Sequence, residues 1–265
     1  MALSNSRQAA AEAAAAIQPA DSSHRPAPRI LVVTAVEAER EAVLRGLSLT
    51  AAEAPVLRLN QAAESATAAP RAAIDVIAGG VGPASAAAST ALALARAAAP
   101  YDLVISAGIG GGFPGRAAIG SLVIANAVVS ADLGAETPDA PGFLSVDELG
   151  FGSARKEPDH AWNNRLIAAM RSDGLEPACA PVITVSSATG TAATAELRSS
   201  LVAGAASEGM EGFGVATAAA MLGIPVTELR AISNAVGPRD RSAWRIGDAL
   251  QALEAAFRAV SYHIK

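Results

Sequence analysis

The stretch Ser207–Asp240, SEGMEGFGVATAAAMLGIPVTELRAISNAVGPRD, carries the residues best suited to chemistry. Glu211 is a carboxylate between Met210 and Gly212, just ahead of an Ala-rich helix. The strand after that helix, Val226 to Ser233, delivers Asn234 shortly before Gly237-Pro238. A carboxylate before one helix and an amide beyond the next strand can meet at one edge of a sheet, where open α/β sheets place their ligands. Other chemistries lack their residues. His24, His160 and His263 are scattered, with no metal-ligand spacing and no His–Ser or His–Cys pair in a plausible context. Lysine occurs only as Lys156 and Lys265, neither in a core-like setting, which disfavours a Schiff-base enzyme. No Walker motif is present. What remains is carboxylate and amide chemistry around Gly-rich turns.

The elements that must position these groups read as alternating strands and helices. Arg29–Thr34 is a short apolar run and predicts a buried strand. Glu37, Glu39 and Glu41 open the helix behind it, which ends near Gly46; acids there complement the helix dipole, and for Glu37 and Glu41 that is explanation enough. A weaker strand is expected near Val56–Leu59. Ala73–Ala78 is a second strand, running into Gly79-Gly80-Val81-Gly82 and then Pro83, a natural first residue for the Ala-rich helix to about Ala98. Those glycines serve either tight packing or close approach of backbone to a ligand. Asp102–Ser106 is a third strand, expected to end in a Gly-rich turn, Ala107–Gly112. The formal GxGxxG from Gly110 to Gly115 is not a dinucleotide site, because Pro114 and Gly115 break the helix that motif must open. Gly120–Ala131 is β-rich, and 130–136 and 142–152 read as loops. A helix over 160–172 carries Trp162, and a strand over Ala178–Ser187 leads into Ala188-Thr189-Gly190-Thr191 and a short helix. An amphipathic helix over Trp244–His263 closes the chain. Cys179 reads as an inert strand residue packed inside. Glu208 reads as exposed.

The 265 residues fit one α/β domain. Half of them are apolar but only 3% are aromatic, so Ala, Val, Ile and Leu must build the core. A formal charge of −5 argues against a nucleic-acid-binding surface. No stretch has the ~20 uninterrupted apolar residues of a membrane span. Residues 1–28 are expected to be an Ala-rich, disordered tail rather than a signal peptide, with residues 29–265 forming the domain and the cytoplasm as the default location.

At Met210-Glu211, with Arg230-Ala-Ile-Ser-Asn234 downstream, the chain resembles the purine nucleoside phosphorylase/hydrolase superfamily and, within it, the nucleosidases. The likeness runs from Ile30 to the last helix. Four stretches bring it nearest to the futalosine hydrolases: Ala131–Glu136, Asp147–Gly152, Met210–Ala216 and Ser233–Arg241. The resemblance implies a three-layer α/β fold, a mixed central β-sheet flanked by helices. It implies hydrolysis of the N-glycosidic bond of futalosine with release of hypoxanthine, in a menaquinone route. No cofactor or metal is implied. The expected partner is a small purine nucleoside, with no nucleic acid and no membrane, and the family implies a homo-oligomer, at least a dimer.

Residue by residue, Glu211 is similar to the family's ribose-binding glutamate and Met210 to its neighbour along the sugar. Glu39 is similar to the acid that orients and activates the attacking water. Further substrate-binding candidates are Gly82, Ile109, Gly110, Thr189, Phe213 and Arg239. Asn234 stands where methylthioadenosine/S-adenosylhomocysteine nucleosidases carry an aspartate. An amide cannot act as that acid, but its NH₂ donates to N7 or O6 of a 6-oxopurine. Asn234 could equally cap the turn before Gly237-Pro238. Arg239, Arg241 and Arg245 are candidates for the carboxylate of futalosine's tail, or solvated surface charges. The superfamily's phosphorylases often place an Arg before the Gly-rich turn. Here Ile105–Gly110 has none, which favours water over phosphate. A phosphorylase, an adenine-specific nucleosidase and a nucleoside-binding module without chemistry are the alternatives.

Overall fold

The computed structural model describes residues 27–50 and 73–264. The expected strand near Val56–Leu59 and nearly all of the expected tail lie outside them.

The elements run β1 (Arg29–Thr34), α1 (Glu37–Leu47), β2 (Ala73–Ala78), α2 (Pro83–Arg96), β3 (Leu103–Gly112), β4 (Leu122–Ser130), β5 (Gly134–Glu136), β6 (Phe143–Ser145), β7 (Arg155–Lys156), α3 (His160–Ser172), β8 (Ala178–Thr184), α4 (Ala192–Leu201), β9 (Ser207–Gly209), α5 (Gly212–Met221), β10 (Val226–Ala235) and α6 (Ile246–His263). Strand alternation divides the core. Ile30 and Val32 of β1 point to a cluster with α1, α3 and α6, while Leu31 and Val33 point to one with α2 and α5. The expected three-layer α/β arrangement, a mixed sheet between helices, is the one observed.

The eight-stranded sheet is more closed than the sequence suggests. β10 pairs with β3 in parallel and with β4 antiparallel; β4 continues to β8, β8 to β9, and β9 returns antiparallel to β3. Five strands therefore form a ring, while β1 and β2 extend from β3 as an open wing.

Four local expectations are corrected. Ala107–Gly112 is not a turn but the second half of β3, in register with β10 from Leu229↔Ala107 to Ala235↔Gly112. Pairing with β10 holds it extended, and glycine is needed there because other groups occupy the space where Cβ atoms would stand. Asn234 accordingly lies within β10 rather than beyond it. The 130–152 segment is not all loop, since β5 and β6 pair as a two-stranded sheet. Cys179 is on β8 as expected but is exposed, because it sits near the start of that strand, ahead of the stretch Val182–Thr184 that enters the core.

Candidate active site

The site grows from three places where the backbone turns from strand to helix. After β1, Glu39 is the third residue of α1. Its Oε2 accepts from the backbone N–H groups of Ala35 (2.9 Å) and Val36 (3.2 Å), two donors a helix start leaves unpaired. Its Oε1 accepts from Ile109 N–H of β3 at 2.9 Å. Glu39 is thus both the helix-start acid and a group aimed at the sheet, and it is buried at 4% exposure. Glu37 on the same helix forms an ion pair with Arg40 at 2.6 Å.

After β2, Gly82 takes φ +90°, a left-handed conformation suited to glycine, and Pro83 starts α2. The Gly82 N–H donates to Glu211 Oε1 at 3.2 Å. After β9, Glu211 is the N-cap residue of α5 and is also buried. Its Oε2 accepts from Arg230 Nη1 (3.1 Å) and from Met210 N–H (3.3 Å).

Arg230 joins these groups. It is fully buried on β10. Its Nε donates to Glu228 Oε1 at 2.8 Å, Nη2 to Ser106 Oγ at 3.2 Å, and Nη1 also to the Ile109 carbonyl at 3.3 Å. Glycines make this possible. A Cβ at Gly108 would lie 2.6 Å from Glu39 Oε1 and 2.9 Å from Arg230 Nη1, and one at Gly209 would lie 2.9 Å from Arg230 Cζ. Burial by itself would lower the Arg230 pKa, but the carboxylates of Glu228, Glu211 and Glu39 outweigh it and push the pKa up, so the guanidinium stays charged. Burial pushes the Glu228 carboxyl up, against the opposing pull of Arg230.

A second polar cluster borders the first. Glu208 is buried, not exposed as its glycine neighbour suggested. Its Oε1 accepts from Thr189 N–H at 2.7 Å, and its Oε2 accepts from the Thr189 hydroxyl and from Arg198 Nη1 at 3.1 Å. Arg198 comes from α4, ten residues upstream, so no local signal marked the pairing. The Gly190 carbonyl accepts from Arg239 N–H at 3.2 Å and ties this loop to the one after β10.

The structure therefore brings Glu39, Gly82, Ile109, Met210 and Glu211 together through direct contacts. Gly110 packs against β9, where a Cβ would stand 2.7 Å from the Glu208 carbonyl. Thr189 and Arg239 form the neighbouring rim. Phe213 begins α5, its N–H on Thr184 Oγ1 at 2.9 Å and its ring under the Lys156 ammonium. Asn234 lies farther along β10, half-buried, accepting from Ser233 Oγ at 2.8 Å and donating to its neighbour's carbonyl, Ala235, at 3.0 Å. Arg239 stacks over Trp244 at 5.1 Å, and Arg245 pairs with Asp248 at 2.7 Å; both are exposed. Surface depressions of about 520 and 320 Å³ run along Gly112–Ile119 and beside α4, and neither is lined by Glu39, Glu211 or Asn234.

Sequence reasoning missed Arg230, Glu228 and Arg198 as site residues. The first two had a signal: charged residues two apart in the apolar run VTELRAIS share one strand face and must be buried together.

Known proteins are similar to this chain in sequence and in fold. The sequence model of the phosphorylase superfamily covers residues 29–264. The futalosine hydrolase of Streptomyces coelicolor is 51% identical over 229 residues, 84% of this chain and 91% of that protein. The futalosine hydrolase of Acidothermus cellulolyticus is 44% identical over 230 residues, 87% and 89% of the two chains. Among solved structures, the futalosine hydrolase of Helicobacter pylori has a TM-score of 0.68 at 16% identity, over 88% of this chain and 97% of that one. A methylthioadenosine/S-adenosylhomocysteine nucleosidase from Colwellia psychrerythraea, solved with adenine, has a TM-score of 0.65 at 18% identity, over 89% and 96%. These two share the fold, and the sequence relatives narrow the family: the chain belongs to the phosphorylase superfamily and, within it, to the futalosine hydrolases.

Proposed function

We propose that this chain hydrolyses the N-glycosidic bond of futalosine and releases hypoxanthine, a step of menaquinone biosynthesis. The observation that carries the reading is the convergence of Glu39 and Glu211 at Ile109 of β3, Glu39 directly on its N–H and Glu211 through the buried guanidinium that bonds its carbonyl. Each carboxylate has about four lone-pair sites and uses three of them within the protein. Each therefore keeps one acceptor for a ligand.

Cleavage passes through an oxocarbenium-like ribosyl cation. Glu211 accepts from ribose hydroxyls and places negative charge beneath the sugar as positive charge develops. Glu39 orients the water and takes its proton. Asn234 donates to the purine edge and stabilises the leaving base. Met210, Gly82, Ile109, Gly110, Thr189 and Phe213 line the sugar and base, and Arg239 meets the substrate carboxylate. Even with Glu228 neutral, two carboxylates face one guanidinium, a field that favours a cation and water over a phosphate dianion. We assign the protein to the cytoplasm as a homo-oligomer, at least a dimer.

The test is hypoxanthine release from futalosine, with inosine and methylthioadenosine alongside, in phosphate-free buffer and then with phosphate added. Fast release from futalosine without phosphate supports the proposal. Strict phosphate dependence makes the protein a phosphorylase, and preference for methylthioadenosine makes it an adenine-specific nucleosidase. Binding without turnover makes it a binding module.

A further inference from the structure

Glu228 takes no part in the mechanism above. It stands two residues before Arg230 on β10, so both side chains lie on the face that carries Val226 and Ile232 into the apolar cluster under α2 and α5. Its exposure is 0%. Oε1 accepts from Arg230 Nε at 2.8 Å, while Oε2 has no hydrogen-bond partner among the described residues. A buried acid half-satisfied in this way is costly, and buried ion pairs are often replaced as a whole by hydrophobic side chains without loss of stability. The surroundings are nevertheless cut to fit it. A Cβ at Gly212 would stand 2.0 Å from Glu228 Oε2.

The geometry gives Glu228 a task. A guanidinium is planar, and its donors form a rigid fork. With Nε anchored on Glu228, the plane is set so that only Nη1 reaches Glu211, while Nη2 is spent on Ser106. Freed from that anchor, the fork can turn and grip Glu211 with two donors, the pairing that arginine and carboxylate favour. That would occupy the acceptor left for the substrate. We propose that Glu228 is a positioning residue that holds Arg230 to a single hydrogen bond on Glu211 and so keeps the second acceptor of Glu211 open. The inference rests on Glu211 being the sugar-binding carboxylate.

The experiment uses the full chain with E228Q and E228M. Futalosine kcat and KM, thermal midpoints, and the Arg230 Nε–H signal in ¹⁵N-labelled protein (identified through R230K) are measured together. Glutamine retains an oxygen for Nε, so E228Q should keep kcat/KM within about threefold of wild type. E228M should lose about 10- to 100-fold, the scale of a small misplacement in a site, mainly through KM, with the melting midpoint held and the protected Nε–H signal lost. Wild-type kcat/KM in folded E228M overturns the proposal. So does equal damage in E228Q and E228M, or a wild-type Arg230 Nε–H that exchanges as fast as those of exposed arginines. If E228M does not fold, E228Q and the wild-type signal still decide. If wild-type protein leaves futalosine intact, the proposed function fails separately, and the signal alone decides whether Glu228 anchors Arg230.

Discussion

Arg230 and Arg198 are both buried and both bind glutamates of one short segment, Glu211 and Glu208, yet their surroundings differ. Arg198 meets one carboxylate, and Thr189 satisfies both oxygens of that acid. Charge there is balanced one to one, and both oxygens of the acid are partnered. Arg230 is flanked by Glu228 and Glu211 with Glu39 nearby, and one carboxylate oxygen is left without a partner. A balanced pair serves to hold a loop. An excess of acid around one arginine gains nothing in stability that a single acid would not supply, and it creates the negative field that glycosidic cleavage needs.

The contrast yields predictions. The largest effect should come from E211Q: kcat/KM falls about 1,000-fold, the scale of losing a preorganised charge, while the melting midpoint moves by only a few degrees because Arg230 keeps Glu228. Steady-state kinetics and calorimetry on the same preparation check both parts. A collapse of stability would make the Arg230 cluster a scaffold like the other.

E208A should do the reverse. It leaves Arg198 without its acid and should cost about 3 kcal/mol, the lower end for breaking a buried pair, because Arg198 retains a little exposure. That corresponds to a fall of roughly 6–12 °C in the melting midpoint for a domain of this size. Turnover per folded molecule should fall far less than in E211Q, within about tenfold, because the group set loose is Thr189 at the rim and not the sugar-binding carboxylate; normalised rates well below the midpoint measure it.

A smaller change is expected from N234D. An acid at this position can meet a 6-amino edge, so the ratio of methylthioadenosine to futalosine hydrolysis should rise about tenfold or more. Competition assays with the two substrates measure it, and an unchanged ratio would leave Asn234 as a structural residue of β10.

The smallest effect lies on the surface. Asp147 is held below the ordinary aspartate range by the Ala154 N–H, and Glu148 below the glutamate range by the Ser145 N–H and hydroxyl. Since the folded values are depressed, these bonds contribute above the unfolded pKa values and are lost as pH falls through the folded ones. The Ala154 and Ser145 amide shifts should therefore titrate with midpoints below the ordinary 3.8 and 4.5 of the two acids. Hydrogen bonding moves these exposed acids down, whereas burial moves Glu228 up.

Local pattern was enough to read the frame. Apolar runs marked β1 and β2 to the residue, and the helix over 160–172 coincides with α3. Glu211 could be placed at the head of a helix because Gly212 and the alanines follow it. The glycine run after Ser106 misled, because its cause is remote: Glu39, Arg230, Glu208, Asn234 and Val236 fill the spaces its missing side chains leave. Propensity at Gly108–Gly112 says turn, and tertiary contact makes it strand. The burial of Glu208 has the same remote cause, since its partners come from helix α4 and the loop before it. Glu228 and Arg230 were legible as an alternation, but a charged pair inside an apolar strand has meaning only once it is known what lies across from it.

The register of β10 shifts between Ile232 and Asn234, so that Ile232 stands beside Gly110 and Asn234 beside Gly111. A side chain at Gly110 would meet Arg230, whereas one at Gly111 would meet Asn234. Neighbouring strand residues look to opposite sides, so the extra residue, Ser233, reverses the parity of everything after it. Where the amide points is therefore written in the length of the strand as well as in the choice of asparagine. Regular pairing with Ser233 retained would carry Asn234 on to Gly112 and turn it to the other side of the sheet with its chemistry intact, so a change of register alone would alter substrate preference while altering no functional group.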